Sequence, residues 1–255
     1  MVSDGKMLIR LTPLVDLDVE RQMTIRDIRN QQGVRKWMYT DHIISASEHL
    51  AWINRLKSDD RQIVLAVLLD GVDPVGIVSI NAIDRLHKKA DWAFYLSESM
   101  AGKGIGSALE YAIIEFAFNA MGLEKLNCEV IESNDAVVRL HRKFMFRQEG
   151  FRRLNIVKNG ERIGVYFMGL TADDWKQHKP ERPDRYTVVF DMRENPKRSD
   201  SVIDLIESAR ARNNLNWMNI LRLAIDKAPS VARPIVAEIH NTDAEINQLS
   251  AELFS

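Results

Sequence analysis

The chain has 255 residues with a formal net charge of −1, and 45% of its residues are hydrophobic and 28% charged, which is typical of a globular protein and gives no electrostatic case for nucleic-acid binding. The single cysteine, Cys128, excludes a disulfide framework and a cysteine-rich metal site. No apolar run has the length of a membrane span and the N-terminus lacks a signal-peptide core, so we expect a cytoplasmic protein without membrane partners.

The predicted elements alternate between helices and strands from the N-terminus onward. Residues 8–12 are predicted as a strand and residues 16–30 as a helix, and an irregular loop, QQGVRKWMYTDH, follows with many aromatic and basic residues. Ser45 and Glu48 form the capping-box pattern that opens a second helix. Three strand-like runs come next, over residues 61–70, 74–84 and 90–97.

A glycine-rich turn then leads into a further helix. This helix is predicted from Ile105 to Met121, where its apolar residues keep a helical period, and Gly122 ends it. A strand in LEKLNCEVI, a helix in NDAVVRLHRKFMF and a hairpin around Asn159-Gly160 complete the order. Antiparallel hairpins around one strand–helix–strand crossover indicate a mixed α/β (α+β) domain.

Composition divides the chain into three parts. Residues 1–178 hold the mixed domain, and the charged, proline-bearing segment 179–198 is predicted as a linker. Residues 199–255 have the pattern of an α-helical domain, which we expect to be a small bundle that packs on the first domain or dimerises. A homodimer would form through the sheet or through this helical tail.

Gly102, Gly104 and Gly106 lie between a predicted strand and a predicted helix. Such a turn presents backbone N–H groups to an anion, and glycine allows a left-handed φ and a close approach of the backbone to a ligand. The Walker pattern is absent, and the dinucleotide fingerprint fails because Ser107 stands at its third glycine. A tight turn without a ligand is the alternative.

Two motifs and the order of elements together resemble the GNAT acetyltransferase superfamily. The loop pattern Q/R-x-x-G-x-G/A matches residues 101–106, with alanine at its first position. The pattern N-x-x-A/S-x-x-L-Y-x-K-x-G-F matches residues 134–146, with His141 at the tyrosine and Met145 at the glycine. The resemblance covers roughly residues 8–171 and implies the GNAT fold, a mixed, mostly antiparallel sheet with flanking helices.

The same resemblance implies acetyl-CoA as the acetyl donor. Its pyrophosphate would contact the backbone amides of residues 102–107, and its pantetheine arm would pair with residues 94–96 like an added strand. Asn134 would hydrogen-bond that arm, and Arg142 or Lys143 would approach the phosphates. The predicted CoA-binding residues are Phe94, Tyr95, Leu96, Ala101, Gly102, Lys103, Gly104, Ile105, Gly106, Ser107, Asn134, Arg142 and Lys143.

The segment before the glycine turn resembles one GNAT branch, the nucleotide-sugar N-acetyltransferases of pseudaminic acid biosynthesis. The match rests on Arg29-Asn30, residues 34–39, His49 and Trp52. It implies that the acceptor is the 4-amino group of a UDP-linked 4-amino-4,6-dideoxy sugar, whose ring and diphosphate suit aromatic faces and cationic side chains. The predicted substrate-binding residues are Arg29, Arg35, Lys36, Trp37, Met38, Tyr39, His49 and Lys88.

Other roles and other functions stay open at this point. Trp37, Met38 and Trp52 could pack in a core. Lys88 could lie in a solvated turn, and His49 could be a structural histidine. A ribosomal-protein-type N-terminal acetyltransferase shares the fold, although the loop before residue 42 is basic rather than acidic. A degenerate CoA-binding interaction module is a third reading, against which the intact GKGIG argues.

The chemistry of acetyl transfer selects the catalytic candidates. An amine with a pKa near ~8 is mostly protonated at neutral pH, so a base must remove a proton, directly or through water. Glu132, which strand alternation places opposite Glu129, is one base candidate, and Ser79 acting through water and Asp91 are others. The resemblance assigns His141 as the acid or a thiol contact. No metal is required, because the histidines do not cluster at ligand spacing.

Overall fold

A computed structural model describes residues 6–192 of the chain, in which strands and helices alternate. The strands are β1 (Met7–Pro13), β2 (Ile63–Leu69), β3 (Asp73–Asp84), β4 (Lys89–Leu96), β5 (Lys125–Ile131), β6 (Arg147–Lys158), β7 (Glu161–Thr171) and β8 (Tyr186–Phe190). The helices are α1 (Val19–Asn30), α2 (Gln32–Arg35), α3 (Ala46–Leu56), α4 (Ile105–Glu115), α5 (Asp135–Lys143) and α6 (Ala172–His178).

The strands form one sheet in the order β6-β7-β5-β4-β3-β2-β1-β8. Most neighbouring strands are antiparallel, and the two parallel pairs are β4 with β5 and β1 with β8. The chain between β4 and β5 contains α4, which is the crossover that a parallel pair requires. This architecture confirms the mixed, mostly antiparallel sheet with flanking helices that the sequence predicts.

Strand β2 shows why helices cover both faces of the sheet. Its sequence, IVLAVLL, is apolar at every position, and successive side chains of a strand point to opposite faces. Leu65 and Val67 join the core that includes α4 and α5, whereas Ala66 and Leu68 join the core that includes α1 and α3. The strand is therefore packed on both sides and fixes the middle of the sheet.

Two local signals determine element boundaries as the sequence predicts. The Ser45 hydroxyl accepts the Glu48 N–H at 3.2 Å while the Glu48 carboxylate accepts the Ser45 N–H at 2.8 Å, so the capping box is complete and α3 begins at Ala46. Asn159 and Gly160 both have left-handed φ values, of 52° and 81°, which is the geometry that joins β6 and β7 in a two-residue hairpin.

Three expectations about the fold need correction. The loop predicted as irregular contains one helical turn, α2, and the helix predicted to Met121 changes to π-helix over Phe116–Ala120. The prediction of a linker over residues 179–198 is wrong at β8, because YTVVF is a short apolar strand that finds the free edge of β1 and pairs with it in parallel. The prolines and charges around this run favoured the prediction of a linker, so the strand was overlooked.

The contacts of the chain divide it after Met192. The predicted helical domain, residues 199–255, lies outside the described residues, so its fold and the proposed dimer stay predictions. Over residues 6–192, no helix has the length and hydropathy needed to cross a bilayer.

His49 of α3 occupies a buried position against α1. It is 2% exposed, and its Nε2 lies 2.9 Å from the carbonyl oxygen of Gln22, which can only accept, so Nε2 carries the proton. Burial lowers the pKa of His49 below its usual value, and the bond to the Gln22 carbonyl opposes this only in part. The folded protein therefore holds the neutral ring.

We expect His49 to make the protein less stable in mild acid. The unfolded chain binds a proton at His49 more readily than the folded one, so the free energy of unfolding falls as the pH drops below the ordinary histidine pKa of about 6.5. Urea denaturation at about pH 5 and about pH 7.5 would show a smaller loss for His49→Gln than for the wild type. The exposed His178 at the end of α6 provides the control, His178→Gln. Equal losses in wild type and His49→Gln would contradict the prediction.

Candidate active site

Strands β4 and β5 separate after a short parallel contact. They pair only at residues 89–91 with 125–127, while β4 stays paired with β3 to Leu96 and β5 stays paired with β7 to Ile131. The edge of β4 over residues 92–96 that faces β5 thus has no strand partner. Its backbone N–H and C=O groups are available to an extended ligand that adds like a strand.

A cavity of about 480 Å³ fills this wedge, which we call the β4–β5 cleft. Its volume lies in the range of small-molecule sites, about 300–1,000 Å³. The structure brings together in its walls these predicted residues: Trp37, Met38, Tyr39, Asp91, Phe94, Tyr95, Leu96, Asn134 and His141. The cleft therefore joins residues that lie more than one hundred positions apart in the chain.

The glycine turn forms a second groove, which we call the glycine groove. It is lined by Ala101, Gly102, Gly104, Ile105 and Gly106, and also by Lys36. Trp37, Phe94 and Leu96 line both the glycine groove and the β4–β5 cleft, so the two share walls. An elongated ligand can pass from one into the other.

Backbone conformation in the turn leaves a row of amides without acceptors. Gly102 and Gly104 have left-handed φ values of 73° and 83°, and Gly104 is the N-cap of α4 without a side chain to cap the helix. Within residues 6–192, the N–H groups of residues 102 and 104–107 donate to no protein acceptor. This helix start combines free donors with the positive end of the helix dipole and suits an anionic group such as a phosphate.

Tyr186 of β8 contacts the glycine turn but does not line the glycine groove. Its hydroxyl donates to the Lys103 carbonyl at 2.8 Å, and its ring lies 3.9 Å from the position that a Cβ on Gly104 would take. Tyr186 is 3% exposed, whereas the Lys103 side chain is exposed. Tyr186 was not predicted from the sequence, because its segment was expected to be a linker; the apolar YTVVF run was the available signal.

His141 of α5 reaches the β4–β5 cleft from beneath. Its Nδ1 lies 2.8 Å from Oε1 of Glu110 on α4, and both side chains are buried. Burial raises the pKa of the Glu110 carboxyl, and the hydrogen bond to His141 opposes the rise. Glu110 was not among the residues predicted from the sequence, although a glutamate within the apolar helix pattern SALEYAIIE was a visible anomaly.

Two of the predicted catalytic residues lie outside the cleft lining. The Ser79 hydroxyl donates to the Ala93 carbonyl at 3.4 Å and accepts from Asn81, so strand contacts engage it. Glu132 is exposed, and its Oε2 accepts the Gly164 N–H of β7 at 2.8 Å. Strand β5 ends at Ile131, so the side chain of Glu132 lies beyond the strand and no longer follows its two-residue period.

Glu129 is the β5 carboxylate that does line the cleft. It accepts a hydrogen bond from the hydroxyl of Tyr39, which reaches it from the loop after α2. Partial burial and this bond to Glu129 both raise the pKa of Tyr39, so the phenol stays protonated and keeps donating. From the sequence, Glu129 was named only as the residue on the face opposite Glu132, one of the base candidates.

The predicted cationic substrate residues do not line the cleft. Arg35 donates to the Asp41 carbonyl at 2.7 Å, and Arg29 is half-buried near Tyr95 with its Nη1 lacking a partner in the described part of the chain. Lys88 is exposed at the β3–β4 turn and pairs with Glu124 at 2.6 Å. These positions do not form the diphosphate site that the sequence predicts.

Three further residues predicted to bind substrate or CoA are either buried in the fold or exposed away from the cleft. His49 is the buried structural histidine described above and is not among the residues that line the cleft. Arg142 and Lys143 are exposed in the last turn of α5 and line neither the cleft nor the glycine groove. Their helix presents its cations to solvent beyond the groove.

Lys158 at the end of β6 supports the loop that carries Trp37 to Tyr39. Its ammonium donates to the carbonyl oxygens of Arg35 and Met38 at 2.6 Å and 2.7 Å. Burial lowers its pKa from the usual lysine value. The sequence offered no signal for this contact, because residue 158 is more than one hundred positions away from the loop.

Comparison with known proteins identifies what this arrangement resembles. A family model described as "Acetyltransferase (GNAT) domain" matches residues 9–147. L-amino acid N-acetyltransferase AaaT of Escherichia coli (strain K12) is 27% identical over 146 residues, which is 56% of this chain and 88% of that protein. Spermidine N(1)-acetyltransferase of the same strain is 22% identical over 153 residues, covering 60% of this chain and 80% of that protein.

A solved structure with the same fold is spermidine N-acetyltransferase from Vibrio cholerae in complex with CoA and spermine. It superposes with a TM-score of 0.61 at 18% sequence identity and covers 68% of this chain and 99% of that chain. At this sequence identity the similarity shows a shared fold and nothing more. The family match over residues 9–147 includes the glycine turn and α5.

Proposed function

The chain is an N-acetyltransferase that belongs to the GNAT family, and we propose that its β4–β5 cleft is where an acetyl group passes from acetyl-CoA to a primary amine. The observation that carries this proposal is the continuity between the glycine groove and the unpaired edge of β4. The glycine groove offers free backbone amides to phosphates, and the unpaired edge of β4 offers strand-like pairing to an extended arm.

The residues present fit acetyl-CoA, which supplies a thioester-activated acetyl group. The amides at residues 102 and 104–107 lack protein acceptors, so they can receive the pyrophosphate oxygens. Phe94, Tyr95 and Leu96 lie on the open edge that would pair with the pantetheine amides, and Asn134 lines the same cleft. A Cβ at Gly102 would meet no atom within 4 Å, so the turn is open on its ligand side.

Side chains in the cleft supply the proton transfers. An amine arrives mostly as the ammonium ion and gives up one proton, directly or through water, to Asp91 or Glu129, the carboxylates that line the cleft. As the nitrogen bonds to the acetyl carbon, Nε2 of His141 takes up its surplus proton. His141 then donates that Nε2 proton to the sulfur as the carbon–sulfur bond breaks, which returns the ring to its neutral form.

The aromatic side chains of the cleft favour a sugar nucleotide as the acceptor. Trp37 and Tyr39 line the cleft and offer flat faces to a base or sugar ring, and Lys36 lines the adjoining groove. The 4-amino group of a UDP-linked 4-amino-4,6-dideoxy sugar would then lie near Asp91. The cationic residues Arg29 and Arg35 give it no support, because their contacts lie elsewhere.

A second acceptor, a cationic amine such as a polyamine, is favoured by charge. Asp91 and Glu129 line the cleft, and no lysine or arginine is among its lining residues in the described part of the chain. Carboxylates attract an ammonium ion and oppose a diphosphate. Two of the compared proteins are named for spermidine, which is a cationic amine of the kind that these carboxylates would attract.

Thiol release from acetyl-CoA tests both acceptors. We would offer a UDP-4-amino-4,6-dideoxy sugar, spermidine and an N-terminal ribosomal peptide to the full chain, and repeat each assay with Glu129→Gln. If the acceptor is a polyamine, we expect KM for it to rise about tenfold in the variant, since a carboxylate–ammonium contact is lost. A sugar-nucleotide acceptor would show no such rise. Failure of every amine while CoA still binds would contradict acetyl transfer in this cleft.

A further inference from the structure

Glu110 is a carboxylate in the middle of the core. It is 0% exposed, and on α4 it lies between the buried residues Leu109 and Tyr111. A buried carboxylate is costly unless hydrogen bonds and an opposite charge compensate for its lost hydration. In the described residues its only hydrogen-bond partner is His141, and its Oε2 has none. Fold stability alone gives no reason to place a carboxylate here.

The contacts of His141 leave one ring nitrogen for the cleft. Nδ1 is engaged by Glu110, and the ring packs edge-on against Trp92 at 5.3 Å and beside Phe146 at 5.4 Å between centroids. His141 also lines the β4–β5 cleft, and its Nε2 makes no hydrogen bond within residues 6–192. The ring is thus fixed on one side by the carboxylate and on its faces and edges by aromatic rings.

From this geometry we propose that Glu110 is a positioning residue, which acts through His141 to keep a proton on Nδ1 and to direct Nε2 into the cleft. This inference rests on the proposed acetyl transfer. When Nε2 gives its proton to the sulfur, the neutral ring retains the Nδ1 proton, which stays hydrogen-bonded to Glu110. A carboxylate that orients a histidine in this way also stabilises the doubly protonated ring before the transfer.

Other groups near this pair do not take over the role. Lys143 acts on Glu110 only through space from the exposed end of α5, and the buried Cys128 of β5 keeps its proton because burial raises its pKa. The same helix offers a matched comparison in Glu115, a carboxylate that bonds the Trp175 indole at 2.6 Å and the Lys179 ammonium at 2.7 Å away from the cleft.

The test combines a spectroscopic readout with kinetics. In the full-length wild type, ¹⁵N NMR at a pH where the ring is neutral should show the proton of His141 on Nδ1. Glu110→Leu should return the proton to Nε2, the form that free imidazole side chains prefer. Glu110→Gln, which keeps an acceptor but removes the charge, should lower kcat about 10- to 100-fold, with the CoA dissociation constant unchanged. Glu115→Gln should leave the tautomer and kcat unchanged.

The outcomes separate this inference from the proposed function. An Nε2-protonated ring in the wild type would overturn it, and so would an unchanged kcat in Glu110→Gln. A second check is the double variant Glu110→Gln/His141→Gln, which should be no slower than His141→Gln because Glu110 acts through that ring. If no amine is acetylated by the wild type, the proposed function fails while the NMR result still tests the role of Glu110.

Discussion

Gly104→Val is expected to abolish the binding of CoA. Gly104 has a left-handed φ of 83°, a conformation that β-branched residues avoid, so valine would force the turn into another conformation. The amides around it then no longer converge on a phosphate. Hydrogen bonds to a charged group contribute about 1.5–3 kcal/mol each, so losing two of them weakens binding by at least about 100-fold.

Gly122→Val is the matched control for this change. Gly122 also has a left-handed φ, of 69°, and a Cβ there meets no atom within 4 Å, but it lies at the far end of the helical segment that begins at Gly104. Both variants carry a similar backbone strain of about 1–3 kcal/mol. Isothermal calorimetry with CoA should therefore show normal affinity only for Gly122→Val. Wild-type affinity in Gly104→Val would rule out the glycine groove as the phosphate site.

Tyr186→Ala is expected to destabilise the fold and to weaken CoA binding together. The ring is buried, and truncation of a buried aromatic side chain costs about 3–5 kcal/mol. It also removes the hydroxyl that holds the Lys103 carbonyl and the ring that lies beside Gly104. Chemical denaturation would measure the first effect and calorimetry with CoA the second.

Tyr186→Phe separates the two effects. The phenylalanine keeps the packing and loses only the hydrogen bond to Lys103, which contributes about 1 kcal/mol, so we expect a small loss of stability and a several-fold weaker affinity for CoA. Val189→Ala on the same strand, at a 40% exposed position, should change neither quantity. If Tyr186→Ala bound CoA as the wild type does, β8 would have no part in the glycine groove.

Local patterns in the sequence were sufficient for most of the fold. The Ser45 capping box, the Asn159-Gly160 hairpin and the apolar run of β2 each depend on residues close together in the chain, so their structure follows from short-range hydrogen bonds and side-chain periodicity. The glycine turn is of the same kind, because left-handed φ values at Gly102 and Gly104 are local requirements.

Only part of the candidate site could be predicted from such local patterns. Trp37, Tyr39 and His141, which the sequence suggests as site residues, do line the cleft. The sequence also suggested Glu132, which lies outside the lining, and it expected Arg29 to meet a diphosphate. Strand alternation holds only inside a strand, and a charged side chain can be engaged by a carbonyl or by burial as readily as by a ligand. Neither outcome can be derived from the identity of the residue.

The amino-acid sequence was therefore enough to predict the family, the glycine turn and most of the element order up to β7. Which distant groups meet depends on the folded structure: Glu110 with His141, Tyr186 with Lys103 and Lys158 with the loop before Tyr39. Each of these contacts joins residues at least 31 positions apart. Such pairs are set by the packing of whole elements against one another, where the cost of burying a polar group selects its partner.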